Sequence, residues 1–270
     1  MNMRSVLRIA APFTLAATLA YGQAKQPQPK SKAEQEAVMA IFNAQEPDAR
    51  IAAAEALLQK FADTEFKSIA LQVAAMSAQQ KNDFEKMVIY AERTLEADPK
   101  NYSAMLMLAS GLGQRTREFD LDKEEKLTRA EKYATSAMEL IKTAPKPRPD
   151  LTDEQWEAAK KDFAAQAYES LGLTALVRKK YDVAATNFKA AVDIGVQADA
   201  ATMVRLASAY NHLGKSDEAV AVLDKINTLP DLNPQIKAAA QAERNIAVKA
   251  KAGGAKPTAP TAPPQVEIKK

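Results

Sequence analysis

Between about residue 32 and about residue 250, apolar residues recur every three or four positions, and no stretch alternates strictly between apolar and polar residues. Short polar breaks divide this region into segments with the length of ordinary helices. Pro47 suits the first turn of a helix, and Ser216 and Asn233 (the latter before Pro234) are candidate N-caps. The pattern predicts an all-α protein of about ten or eleven helices in antiparallel pairs.

The composition supports this prediction. Hydrophobic residues make up 47% of the chain, so it can bury a sizeable core. Aromatic residues make up only 6%. Alanine and other strong helix formers are abundant, whereas the residues that favour strands are comparatively scarce.

Small and large side chains also recur at a fixed spacing. Leu171, Gly172, Ala184 and Phe188 are followed 35 residues later by Leu206, Ala207, Ala219 and Leu223. Farther back, two alanines 34 residues apart, Ala75 and Ala109, each lie near the middle of a predicted helix. Two helices that pack about 8–10 Å apart need small residues where their backbones approach, and large residues fill the space beside them. Such a pair cannot bury its apolar face alone, so a recurring pattern predicts a stack of pairs.

This pattern resembles the tetratricopeptide repeat family. The matching residues of the best unit are Tyr168, Leu171, Gly172, Ala175, Ala184, Phe188 and Ala191. The next unit matches at Leu206, Ala207, Tyr210, Ala219 and Leu223, and Asp98 with Pro99 closes an earlier unit. The resemblance implies a right-handed α-solenoid.

The resemblance extends over four units, at about 68–101, 102–142, 165–195 and 200–230. The unit 102–142 departs from the pattern, because about nine extra residues, within RTREFDLDKEEKL, separate its two helices. Helices at about 32–43 and 48–62 are interpreted as an N-terminal cap or a degenerate unit, and a helix at 234–250 as the C-terminal cap.

The resemblance also implies a site. In the family, the first helix of each pair lines a concave groove that receives a peptide or another protein. In this chain the corresponding positions are Gln72, Met76, Gln79, Leu106, Ser110, Glu169, Leu173, Val204, Ser208 and Asn211. The alternative for about half of them is that they only solvate the surface. Some relatives grip a terminal carboxylate with Lys and Asn at these positions, and this chain does not match them.

The ends of the chain carry separate signals. Residues 1–24 combine Arg4 and Arg8 with an apolar run and small residues, as in a secretory signal peptide cleaved after Gly22 or Ala24. An uncleaved membrane anchor is the alternative. We expect no other span, a polar linker at 25–31, and a disordered tail at 251–270 that is rich in Pro, Ala and Lys.

Charge and cysteine content exclude several functions. The net charge is +3, but the excess of positive charge comes from the two ends of the chain, and the body carries slightly more acidic than basic residues. It therefore lacks the concentrated basic face that nucleic-acid binding needs. The chain has no cysteine, which excludes disulfides, thiolate metal sites and a cysteine nucleophile.

Candidate chemistry is sparse. The single histidine, His212, could be an acid–base group or a structural residue. The five carboxylates of 118–126 could bind a cation or could form a solvated helix start, and the segment lacks the glycine that a calcium loop needs. Trp156 is a ligand platform or, with Thr152 and Gln155 as a capping box, a structural residue. No catalytic or cofactor motif occurs, so we expect no enzyme, no metal and no cofactor.

The sequence thus predicts an exported scaffold, periplasmic or secreted, that binds a protein or peptide in its groove. The alternative within the same fold is an envelope structural solenoid that binds glycan, lipid or cell-wall polymer. An enzyme that depends on His212 is the third hypothesis.

Overall fold

The computed structural model describes residues 27–196 and 199–253, and in these residues it contains eleven helices and no strand. The all-α prediction is confirmed. The helices are α1 Lys32–Asn43, α2 Pro47–Lys60, α3 Lys67–Gln80, α4 Phe84–Ala97, α5 Tyr102–Arg115, α6 Lys123–Thr143, α7 Asp153–Val177, α8 Tyr181–Ile194, α9 Ala200–His212, α10 Ser216–Ile226 and α11 Pro234–Lys251.

Side-chain caps set most of the helix starts. The side chains of Ser31, Asp83 and Asn101 each accept a hydrogen bond from a backbone N–H in the first turn of the helix that follows. Asn233 caps α11 as predicted. Ser216 does not cap α10. It is the first helical residue, and Lys215 occupies the capping position without a side-chain bond.

Consecutive helices pack as pairs: α3 with α4, α5 with α6, α7 with α8, and α9 with α10. Only three residues join the helices within three of these pairs, so those partners run antiparallel. The chain is a solenoid of stacked pairs, because each pair also contacts the next one.

The odd-numbered helices form the inner layer of this solenoid. Helix α5 packs against α7, and α9 packs against α11, whereas no two successive even-numbered helices in the described part of the chain approach as closely. Side chains still bridge some of them, as Arg129 on α6 does to Glu92 on α4. A stack whose members lie closer on one side curves toward that side. The inner, concave face is therefore the side of the odd-numbered helices.

Gly172 and Phe188 show why small and large residues alternate. A Cβ atom added to Gly172 on α7 would lie 2.5 Å from two ring atoms of Phe188 on α8. Phe188 is completely buried, as is Ala184, one turn before it on α8. The glycine thus makes room for the ring at the contact between the two helices.

Two elements depart from the regular repeat. The connection between α5 and α6 runs over 116–122, and the rest of the predicted insertion is helical, since Arg115 ends α5 and Lys123 begins α6. Helix α7 is 25 residues long and begins well before the predicted unit boundary at 165. Its extra turns pack Trp156 and Phe163 toward Tyr102 on α5.

The predicted signal peptide lies outside the described residues, and so does most of the predicted tail, from 254 onward. The second half of the predicted linker is held against the fold, because the ammonium of Lys30 lies 2.6 Å from a carboxylate oxygen of Asp63. Among the described helices, none combines the length and the apolar character needed to span a membrane.

Candidate functional site

The inner face is open at its N-terminal end. On α3, Met76 is 48% exposed and Gln79 is also exposed. Gln72, one turn before Met76, is half-buried and bound to the next repeat: its amide oxygen accepts from Asn101 (3.0 Å) and its amide nitrogen donates to the Ser103 hydroxyl (3.2 Å). Three predicted groove residues on α3 therefore share one accessible surface, on which Gln72 is fixed.

Helix α1 extends this open surface. Its buried residues Glu34, Val38 and Ile41 correspond, 37 positions on, to Leu71, Ala75 and Ala78, which are buried on α3. The residues that follow each of them, Gln35, Met39 and Phe42, correspond in the same way to Gln72, Met76 and Gln79. All three are exposed, with Met39 at 44% and Phe42 at 54%. We call these six residues the N-terminal inner patch.

The part of this patch on α1 is not among the predicted groove residues, because that helix is interpreted from the sequence as part of an N-terminal cap or a degenerate unit. The spacing of 37 between the apolar faces of α1 and α3 is the signal that could have found it.

On α5 the inner face begins to close. Ser110 is half-buried and accepts a hydrogen bond from Gln114 at 2.9 Å. Leu106 is only 3% exposed and belongs to a core cluster with residues of α6 and α7. Leu106 thus supports the packing of the long helix α7 and does not line an open groove.

From α7 onward the predicted groove residues are mostly buried. Leu173 is 7% exposed, and its Cβ atom lies 3.3 Å from where a Cβ would stand on Gly113 of α5. Val204, Ser208 and Asn211 on α9 are all buried as well. The Asn211 amide donates to the Glu243 carboxylate (2.7 Å), which attaches α11 to α9. These four residues pack neighbouring repeats together.

Glu169 is the charged member of the predicted set. Its carboxylate accepts a hydrogen bond of 2.6 Å from Arg205 on α9, and both side chains are mostly buried. Burial raises the pKa of the Glu169 carboxyl, and the nearby Arg205 guanidinium opposes that shift. The pair connects two repeats, and its charge is already matched.

His212 is part of the packing. Its ring stacks on Tyr181 with the ring centroids 4.0 Å apart and the planes 6° from parallel. Burial lowers the pKa of the imidazole, so the neutral form is favoured. Within the described residues no carboxylate or hydroxyl is hydrogen-bonded to the ring, and the nearby Glu243 carboxylate opposes the downward shift of the pKa.

Four of the five carboxylates of the acidic segment 118–126 form ion pairs. Glu118 pairs with Lys179, Glu124 with Arg178, and both Asp120 and Asp122 with Lys126. No group of residues able to hold a metal ion occurs within 27–196 and 199–253.

Trp156 has the structural role. It is 5% exposed, and its indole N–H donates to the Ala144 carbonyl at 3.1 Å. Thr152 and Gln155 form the predicted capping box at the start of α7.

A family model and one of two similar solved structures agree with this architecture. The tetratricopeptide repeat family model matches residues 200–229. A thermophilic tetratricopeptide repeat protein of Thermus thermophilus has a similar structure, with a TM-score of 0.52, 15% identity, and coverage of 78% of this chain and 98% of the other. A tetratricopeptide repeat protein of Parabacteroides merdae aligns with a TM-score of 0.41 and 14% identity, over 82% of this chain and 93% of the other. No curated protein matches the sequence.

Proposed function

We propose that this tetratricopeptide repeat protein is an exported scaffold that binds a polypeptide on its inner face and has no catalytic activity of its own. The observation that carries the proposal is the N-terminal inner patch. Three large apolar side chains, Met39, Phe42 and Met76, are about half exposed on neighbouring helices of the inner layer. Large apolar side chains that remain this exposed on helices in contact, as α1 and α3 are, are typical of protein interaction sites.

The absence of catalysis is part of the proposal because of the surroundings of the candidate groups. His212 is stacked and favours its neutral form, and Glu169 is paired with Arg205. Neither group faces the open part of the inner face, so neither would meet a partner bound there.

Site-specific photo-crosslinking in intact cells of the source organism tests the binding. A photoreactive amino acid replaces Met76 in one variant and Ile89 in the control. Ile89 lies on α4, in the outer layer, and at 53% is about as exposed as Met76. We expect protease-sensitive adducts from position 76 and none from position 89. The absence of adducts at 76, adducts that resist protease, or the same adducts at both positions would contradict the proposal.

Export is tested separately. The protein is recovered from cell fractions and its N-terminus is determined. We expect a mature chain that begins after Gly22 or Ala24, found outside the cytoplasm. An intact N-terminus in the cytoplasmic fraction would contradict export and would leave the binding proposal unaffected.

A further inference from the structure

We propose that the N-terminal inner patch takes a short, uncharged apolar segment of a partner polypeptide and holds it without ion pairs. This inference rests on the proposed function and specifies the kind of segment that is bound. The charge of the patch, its hydrogen-bonding groups and its extent each support it.

The patch carries no charge. Charged residues make up 26% of the chain, yet the six patch residues are three glutamines, two methionines and one phenylalanine. Of the charges beside the patch, Lys81 pairs with Asp48, and Arg50 donates to the Ala44 carbonyl at 3.1 Å. Lys32 and Glu36 on α1 are exposed charges of opposite sign, 3.9 Å apart, so together they add no net charge. A charged partner segment would lose hydration here without gaining a counter-charge, so an uncharged segment fits better.

The remaining chemistry of the patch suits a polypeptide. Methionine side chains are flexible and polarisable, so Met39 and Met76 can adapt to apolar side chains of different shapes, with Phe42 as a rigid neighbour. The side-chain amides of Gln35 and Gln79 have no hydrogen-bond partner within the described residues. Each amide can both donate and accept, which matches the N–H and C=O groups of an extended backbone.

The extent of the patch limits the length of the segment. The open surface runs from α1 across α3 and ends at α5, where Leu106 is buried under α7. Neighbouring helices lie about 10 Å apart, so the surface is about 20 Å across. An extended chain advances about 3.3 Å per residue, and the patch therefore accommodates about six residues.

Peptide binding with controlled charge tests this inference. The probes are fluorescent peptides of about ten residues, blocked at both ends, in which Leu and Val alternate with Ser and Asn. Two matched sets carry two Lys or two Glu residues in place of Ser and Asn. Binding is followed by fluorescence anisotropy at about 50 mM and about 500 mM sodium chloride. We expect the uncharged set to bind best, with an affinity that changes less than about twofold between the two salt concentrations.

Variants of the protein locate the binding. Met76→Glu and Phe42→Glu change exposed side chains, and Ile89→Glu on the outer layer is the matched control. We expect each patch variant to weaken binding of the uncharged peptides at least about tenfold, which corresponds to about 1.4 kcal/mol, and the control to leave it unchanged. Circular dichroism of each variant checks that the helical fold is retained.

The outcomes separate the two proposals. One contrary outcome is that a charged set binds more tightly than the uncharged set, with an affinity that falls at high salt and is lost in Met76→Glu. In that case the patch still binds polypeptide, as the proposed function states, but the inference of an uncharged segment is wrong. If no set binds, or if the patch variants bind the uncharged peptides normally, the inference is also wrong. The crosslinking experiment at position 76 then decides the proposed function independently.

Discussion

Replacement of Gly172 by alanine would test the packing that generates the solenoid. The new Cβ would lie 2.5 Å from the Phe188 atoms Cδ1 and Cε1 and 3.0 Å from Cγ. Carbon atoms in contact normally stand about 3.5–4.0 Å apart, so the ring or the helix must move by about 1 Å. Phe188 is completely buried, so its ring has no free space to enter.

The magnitude follows from two opposing effects. Overpacking a core costs about 1–3 kcal/mol, and this contact is at the upper end because two ring atoms are involved. Alanine in place of a helical glycine contributes about 0.5–1 kcal/mol of stability. The expected net loss is about 2 kcal/mol, which for a domain of this size lowers the melting temperature by about 4–8 °C. Thermal and urea denaturation followed by circular dichroism measure it.

Two further variants make this test specific. Gly113→Ala is the matched control, because its nearest new contact is at 3.3 Å, to Leu173, and we expect a smaller change in melting temperature. Phe188→Leu removes the ring edge that Gly172→Ala meets, so the double variant should be more stable than the sum of the single effects by about 1 kcal/mol or more. A neutral or stabilising Gly172→Ala, or strictly additive effects in the double variant, would refute the reasoning.

Three other predictions concern stability. Arg178→Ala removes the guanidinium that pairs with Glu124 and Glu131, and because both carboxylates are well exposed it should cost about 0.5–1 kcal/mol in urea denaturation, whereas an unchanged midpoint would show that the ion pairs contribute nothing. Because the pKa of His212 is lowered below its usual 6.5, the unfolded chain takes up the proton first, so stability should fall as pH drops below about 6.5. His212→Phe keeps a ring against Tyr181 and should flatten that pH dependence. Identical pH profiles for the variant and the unchanged protein would show that His212 does not cause the dependence. Thr152→Ala removes the N-cap of α7 and should cost about 1 kcal/mol, with faster hydrogen exchange in the first turn only.

Much of the fold follows from local signals in the sequence. Pro47 in the first turn of α2 and the N-cap Asn233 are where the sequence places them, because capping depends only on residues within one turn. Gly172 and Phe188 also meet as the repeat pattern predicts. Ser216 shows the limit of such reasoning, since a residue of the right type one position inside the helix does not cap it.

The state of the inner face was much harder to predict. Repeat positions alone suggest that Leu173 and Leu106 line a groove, but the length of α7 and its packing on α5 bury both. That packing depends on Gly113, which permits close approach and is separated from Leu173 by a long stretch of sequence. Burial that arises between repeats is not visible in the pattern of one repeat.

The most direct test of the proposed binding surface is the response of individual methionines to a bound peptide. In protein labelled at the methionine methyl groups, NMR spectra are recorded before and after addition of the uncharged peptide, with resonances assigned by single substitution. We predict that the signals of Met39 and Met76 shift, and that those of the buried Met87 and Met203 stay in place. Signals of Met39 and Met76 that do not move while the peptide binds would contradict the account.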